Sequence, residues 1–198
     1  VEDFRDNRLD RISLQNVKKD INYVMIISSS AGLWGYNTGD TVKFTSISPY
    51  RIIVTGRLKQ SLSAFGEHVI VKEVEQAIEQ AILKTGNIVV EFTVAPRFKS
   101  KSLPACHEWF IEFEGNVVEI NNFKSLLDYE LQKQNKYYKD LIDGKIIEKP
   151  VISKIIKGGF KKYMSSIGKL GGQNKVPKIA DNREIADRLK KLNLIESI

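Results

Sequence analysis

The sequence has one cysteine and two histidines among 198 residues. A single cysteine, Cys106, excludes an internal disulfide framework and points to a reducing compartment, which makes the cytoplasm the expected location. Cys106 together with His68 and His107 falls short of the four ligands that a Cys/His structural zinc site takes. Long apolar runs are missing too. The best candidates, Val24 to Ile27 and Ile88 to Val90, have strand length, whereas a membrane helix needs ~18–20 residues, so no membrane partner is expected. The chain lacks an initiator Met, a signal-type apolar segment and transit-peptide composition, and Val1 to Lys19 is polar and irregular. Its start therefore reads as the continuation of something upstream.

What is present is a core's worth of apolar residues and an uneven charge. Hydrophobic residues make up 42% and charged residues 28%, and the mean hydropathy is -0.25. That balance fits a globular protein rather than a disordered one. The formal net charge is +7. Residues 151–198 hold 11 basic and 4 acidic side chains, while the rest of the chain holds 20 of each. All of the excess thus sits in the last quarter. A localised basic segment suits an anionic partner, whether nucleic acid, a membrane surface or a phosphate-bearing small molecule; it equally suits a solvated lysine-rich surface.

Periodicity divides the chain into strands first and helices later. Ile21 to Ser28, Thr41 to Thr45 and Tyr50 to Thr55 are rich in β-branched and aromatic residues and read as strands. From Glu67 the period changes: Val71, Val74, Ile78 and Ala81/Ile82 fall on one helical face, with Gly86 placed to end the helix. Asn87 to Ala95 and His107 to Glu114 are expected strands, joined by a basic loop. Phe123 to Ile142 is the longest helical pattern, with Asn121 or Asn122 as its cap. Strand character returns over Lys145 to Ser153, and a short helix follows near Gly159 to Ile167. A last helix is expected after Asp181, with Glu184 at capping-box spacing. The order predicts an α+β fold: a small mixed or antiparallel sheet flanked by helices, preceded by the end of a mostly β domain.

Several side chains are candidates for chemistry, each with a plain structural alternative. Asp40, in Gly39-Asp40 between two strands, is either a turn residue or a loop carboxylate able to grip both hydroxyls of a ribose. Arg57 follows a strand and offers a fixed fork of donors, or is a surface arginine. Glu67 reads as a first-turn acid favoured by the helix dipole. Lys175 lies in a glycine-rich loop that either approaches a ligand closely or serves as a flexible linker. That loop, Gly168 to Lys175, lacks the Walker glycine spacing, and Val176 stands where Ser/Thr would be needed. Cys106 and His107 are adjacent and point to opposite faces of a strand, which argues against a Cys-His dyad. The same alternation puts a half-buried His107 beside Trp109, Ile111 and Phe113, and Glu108, Glu112 and Glu114 on a solvated face.

The order of these features is more specific than any one of them. Ala31-Gly32-Leu33-Trp34-Gly35-Tyr36-Asn37-Thr38-Gly39-Asp40, Pro49-Tyr50-Arg51-Ile52, Gly56-Arg57-Leu58-Lys59 and Ala64-Phe65-Gly66-Glu67 follow one another. Together they resemble the auxin-responsive promoter family of acyl-acid amido synthetases, in its bacterial form, within the wider adenylate-forming superfamily. The resemblance runs over essentially the whole chain, to Gly171-Gly172-Gln173-Asn174-Lys175-Val176-Pro177.

This resemblance implies a two-step ligase using ATP and Mg2+. A carboxylic acid is adenylated with release of pyrophosphate, and an amine or amino acid then displaces AMP. Residues 1–55 would be the last strands of a large N-terminal domain, 56–59 a hinge, and 60–198 a mobile C-terminal domain. Asp40 would bind the ribose hydroxyls assisted by Arg57, and Tyr36 would lie beside the nucleotide. Lys59 would be the hinge residue. Lys175 would place its charge on the reacting carboxylate and α-phosphate, although its loop departs from the superfamily pattern. The phosphate loop and acyl pocket of the large domain are not in the sequence, so the chain is expected to be an inactive C-terminal fragment whose partners are a small-molecule acid, an amine and its own N-terminal domain. Thioester formation with coenzyme A is the rival chemistry. A nucleic-acid-binding module is the rival class, weakened by a basic tail with few interleaved aromatics.

Overall fold

The computed structural model describes residues 11–57, 61–171 and 174–196, and the expected hinge residue Lys59 and the side chain of Arg57 lie outside the described set. The chain divides into two compact units, Val1–Lys59 and Gln60–Ile198.

The first unit is an antiparallel sheet of β1 (Asn22–Ile27), β2 (Tyr36–Ile47) and β3 (Tyr50–Arg57), in that order. Its small core is Val42 and Phe44, and Phe44 meets Tyr23 and Tyr50 edge-on at 6.0 Å. β2 is longer than the expected Thr41 to Thr45. It starts at Tyr36, because Asn37 and Tyr36 pair with Ile26 and Ile27 of β1. Asp40 therefore lies on a strand and not in a loop between two strands.

The second unit opens with a two-residue ladder, β4 (Ser61–Leu62) against β5 (Val69–Ile70), and runs directly into α1 (Val71–Thr85). Val74, Ala77, Ile78 and Ala81 form the buried stripe of α1, and Gly86, at φ 71°, ends it by donating its N–H to Ile82 O at 2.9 Å. The helix begins later than Glu67. Glu73 is the acid of its first turn, and its Oε2 accepts the Ile70 N–H at 3.0 Å.

β6 (Ile88–Arg97) pairs antiparallel with β7 (Cys106–Glu114), which pairs parallel with β8 (Glu148–Ile155). Between β7 and β8 the chain forms α2 (Ile120–Gln134) and α3 (Lys136–Asp143). The sequence pattern reads these as one helix. Asn135 divides them: it adopts extended torsions, its Oδ1 accepts the Tyr138 N–H at 2.8 Å, and its Nδ2 donates to Glu73 Oε2 at 3.0 Å. The expected caps Asn121 and Asn122 sit inside the first turn of α2, after Glu119. The chain ends with α4 (Gly159–Ser166) and α5 (Glu184–Lys191). Asp181 does not cap α5. Its Oδ1 accepts the Ser63 N–H at 2.7 Å, and Asn182 takes the Glu184 N–H instead.

Two apolar clusters make this unit three layers deep. On one face Phe92, Val94, Trp109 and Ile111 pack with the buried stripe of α1, with Phe123, Leu127 and Leu131 of α2, and with Tyr138 of α3. On the other face Ala95, Phe110 and Ile155 pack with α4 and α5 through Phe160, Tyr163, Ile185 and Leu189. The expected α+β arrangement, a small mixed sheet flanked by helices, is the one observed. Both sheet edges are also covered: Lys178 and Ala180 bond to Val94 of β6, and Leu194 and Glu196 bond to the β8 side. Closed edges of this kind prevent edge-to-edge aggregation.

Candidate functional site

Two of the candidate residues meet across the first sheet. Asp40 of β2 and Arg57 of β3 are direct partners in the antiparallel register. Opposed positions in an antiparallel pair are cross-strand neighbours. Local chemistry builds this end of β2. The register with β1 shifts between Val24 and Ile26, opposite the stretch Asn37 to Thr41, which bulges. Gly39 takes φ 76° there, a torsion that a side chain would strain. Asn37 Oδ1 accepts the Gly39 N–H at 2.8 Å and Thr38 Oγ1 accepts the Asp40 N–H at 3.1 Å. On the β3 side a second shift leaves Thr55 as the extra residue, and its hydroxyl donates to Thr41 Oγ1 at 3.0 Å. Tyr36, the third candidate on this sheet, is an exposed residue at the start of β2 opposite Ile27.

Lys175 belongs to the second unit. It is exposed, but the residues after it are held firmly. Val176 is buried in the α4/α5-side cluster. Thr93 Oγ1 donates to Pro177 O at 2.6 Å, Val94 N to Lys178 O at 2.9 Å, and Ala180 N to Val94 O at 2.8 Å. Lys178 pairs with Glu91 and lies 4.6 Å from the centroid of the Phe92 ring. The residues that follow the glycine-rich loop are thus a pinned edge on β6.

Three buried polar constellations escaped the sequence reading. Glu67 is fully buried, with Oε1 2.8 Å from His107 Nε2 and Oε2 accepting the Phe65 N–H at 2.8 Å. Its burial replaces the expected role as a helix-dipole acid, and His107 is fully rather than half buried, its ring stacked with Phe65 and tilted against Tyr138. The expected solvated face of β7 is covered as well, because α4 and α5 pack on it. Glu108 accepts from Ser153 Oγ at 2.8 Å and Arg183 at 2.9 Å. Glu112 caps α4 by accepting from Gly158 N at 2.6 Å and Phe160 N at 3.2 Å. Only Glu114 of the three is exposed. A signal for the first constellation was available, since a histidine alternating with Trp109 and Ile111 on an apolar face needs a polar partner when buried.

Burial also changes the acidity of Cys106 and Tyr138. It pushes the Cys106 thiol up to about 11, which keeps it protonated and poorly nucleophilic. Burial and the Asp128 carboxylate, which accepts the Tyr138 hydroxyl at 2.9 Å, hold that phenol well above its usual range. Among the described residues no group of three or more His, Cys, Asp or Glu could hold a metal ion. No helix among the described residues is long and apolar enough to cross a membrane.

Residues 72–184 match the family model described as the GH3 family C-terminal domain, and residues 2–57 match the GH3 family central domain. The fold is similar to that of a solved "GH3.15 acyl acid amido synthetase", with TM-score 0.68 and 19% identity over 94% of this chain and 36% of that one. It is similar also to "AtGH3.15 acyl acid amido synthetase in complex with 2,4-DB", with TM-score 0.66 and 20% identity over 94% of this chain and 35% of that one. The chain therefore spans little more than a third of the length of these proteins. No curated protein matches the sequence.

Proposed function

Since the chain belongs to the GH3 family, we propose that it is the C-terminal part of a cytoplasmic, bacterial-type, ATP-dependent acid–amine ligase, inactive by itself. In the intact enzyme a carboxylate oxygen of the acid attacks the α-phosphorus of ATP, and the bond to pyrophosphate breaks. An amine, typically of an amino acid, then attacks the acyl carbon, loses a proton, and AMP departs with the bonding electron pair. ATP enters as its Mg2+ complex, a substrate and not a resident group of this chain.

The observation that carries this reading is the pairing of Asp40 with Arg57 in register, at the bulged end of a sheet matched to the family's central domain. A carboxylate with two acceptor oxygens suits a vicinal diol, and an adjacent guanidinium adds donors for the nucleotide. Tyr36 flanks the nucleotide. Lys175, exposed and two residues from the Pro177 carbonyl that Thr93 of β6 holds, brings a positive charge to the reacting carboxylate and α-phosphate, where negative charge builds in the transition state. Residues 56–59, with Lys59 at their end, form the hinge on which residues 60–198 rotate between half-reactions. The first unit also leaves Trp34, Ile52, Ile53 and Val54 exposed, apolar surface suited to packing against the enzyme's own N-terminal domain.

The test uses the full-length protein with ATP, Mg2+ and a broad panel of carboxylic acids. Acid-dependent pyrophosphate release, followed by amide formation with one of twenty amino acids, is the expected result; coenzyme A in their place should give no thioester. A full-length protein that releases no pyrophosphate with any acid overturns the proposal.

A further inference from the structure

We infer that Thr93 is a positioning residue for Lys175, an inference that rests on the role proposed for Lys175 above. A lysine carries its charge on a flexible four-carbon stem, so where the charge sits depends on how well the root of the side chain is fixed. Upstream, the Asn174 N–H bonds locally, to Gly171 O at 3.0 Å. The fixed point lies downstream, on β6.

The ladder that ties this segment to β6 begins at Lys178, whose carbonyl accepts the Val94 N–H, and continues to Ala180. The Phe92 N–H, the strand donor that would carry the ladder closer to Lys175, goes instead to Glu91 Oε1 at 2.9 Å. Thr93 extends the attachment from the strand side. Its hydroxyl, on a residue with no solvent exposure, donates to the Pro177 carbonyl at 2.6 Å. That bond lies two residues from Lys175. Together with the burial of Val176, it converts the flank of a glycine-rich loop into a defined edge.

Position 93 otherwise favours valine. It sits mid-strand on β6, opposite Phe110, in a fully buried site where a β-branched apolar side chain packs well and a hydroxyl costs desolvation. The hydroxyl is accounted for by the carbonyl it holds. A displacement of the reacting charge by about 1 Å is enough to cost on the order of 100-fold in rate.

The experiment uses the full-length protein and acid-dependent pyrophosphate release. Thr93→Val is expected to lower kcat for adenylation at least ~10-fold with KM for ATP held within about twofold, and Thr93→Ser, which keeps the hydroxyl, is expected to restore it. In a Lys175→Ala background the Thr93→Val change should have no further effect on kcat, since the charge it positions is gone. If Lys175→Ala is severe and Thr93→Val leaves kcat unchanged, or lowers it equally in both backgrounds, the positioning role is wrong while the role of Lys175 stands. If Lys175→Ala leaves adenylation unchanged, the role of Lys175 falls, and this inference with it.

Discussion

Glu67 and His107 share a 2.8 Å hydrogen bond with no solvent exposure on either side chain, tying the short loop between β4 and β5 to the start of strand β7. The Nδ1 atom of His107 has no hydrogen-bond partner among the described residues, so Glu67 is its polar anchor. Removing one member of such a pair leaves the other buried and unsatisfied. Glu67→Ala is expected to destabilise the protein by about 3 kcal/mol, and Glu67→Gln, which keeps an acceptor, by about 1 kcal/mol. Urea unfolding measures both. Equal, small effects for the two variants would show that the pair contributes nothing to stability.

Cys106 gives a prediction in alkaline solution. Burial raises its thiol from 9.0 to about 11 in the folded state. Between those values the unfolded chain releases the proton and the folded chain retains it, so this contribution is fully present below pH 9 and is lost as pH rises towards 11. The native protein should lose up to about 2 kcal/mol over that window relative to Cys106→Ala. Parallel pH dependences for the two proteins in denaturant unfolding would remove the thiol as the cause. The same burial predicts that a thiol reagent at pH 8 labels Cys106 only after unfolding.

Glu112 reaches two N–H groups at the start of α4, those of Gly158 and Phe160. A carboxylate here meets both the orphan donors and the positive end of the helix dipole. Glu112→Gln keeps one acceptor and loses the charge, and an expected cost of about 1–2 kcal/mol follows. Glu114→Gln, on the same strand but exposed, should fall within about 0.5 kcal/mol of the parent. A similar cost at both positions would argue for a general charge effect instead of a cap.

The periodicities that made strands and helices legible are local, and the features they missed depend on partners far along the chain. The stripe of Val74, Ile78 and Ala81 was readable because a helix repeats every 3.6 residues. Asn135 was not, since its break of the α2–α3 pattern is stabilised by Glu73, 62 positions away. Glu67 sat correctly near a helix start, but its partner is 40 positions downstream. Glu108 and Glu112 alternate as surface residues do, and only the later layer of α4 and α5 buries them. At the candidate site the motif made Asp40 and Arg57 visible by their order alone. What the order could not supply was the strand register, in which two β2–β3 shifts offset each other and leave Asp40 opposite Arg57, in the same register as Ile47 opposite Tyr50.

That opposition yields the sharpest prediction for the proposed nucleotide site. If one ribose is held from both strands, losing either residue weakens the same contact, and losing the second should matter less once the first is gone. In the full-length protein Asp40→Ala is expected to weaken ATP binding by about 1–3 kcal/mol through lost charge-assisted bonds. Arg57→Ala should weaken it in the same direction. The double variant should fall short of the sum by about 0.5 kcal/mol or more, as coupled neighbours do. The apparent KM for ATP in pyrophosphate release measures all three, and the KM for the acid serves as an internal control that should stay constant. Strict additivity would mean that the two residues act on separate ligand groups despite their register. An unchanged ATP dependence in Asp40→Ala would remove the carboxylate from the site altogether, leaving the bulge at Gly39 and Asp40 as a device of sheet geometry only.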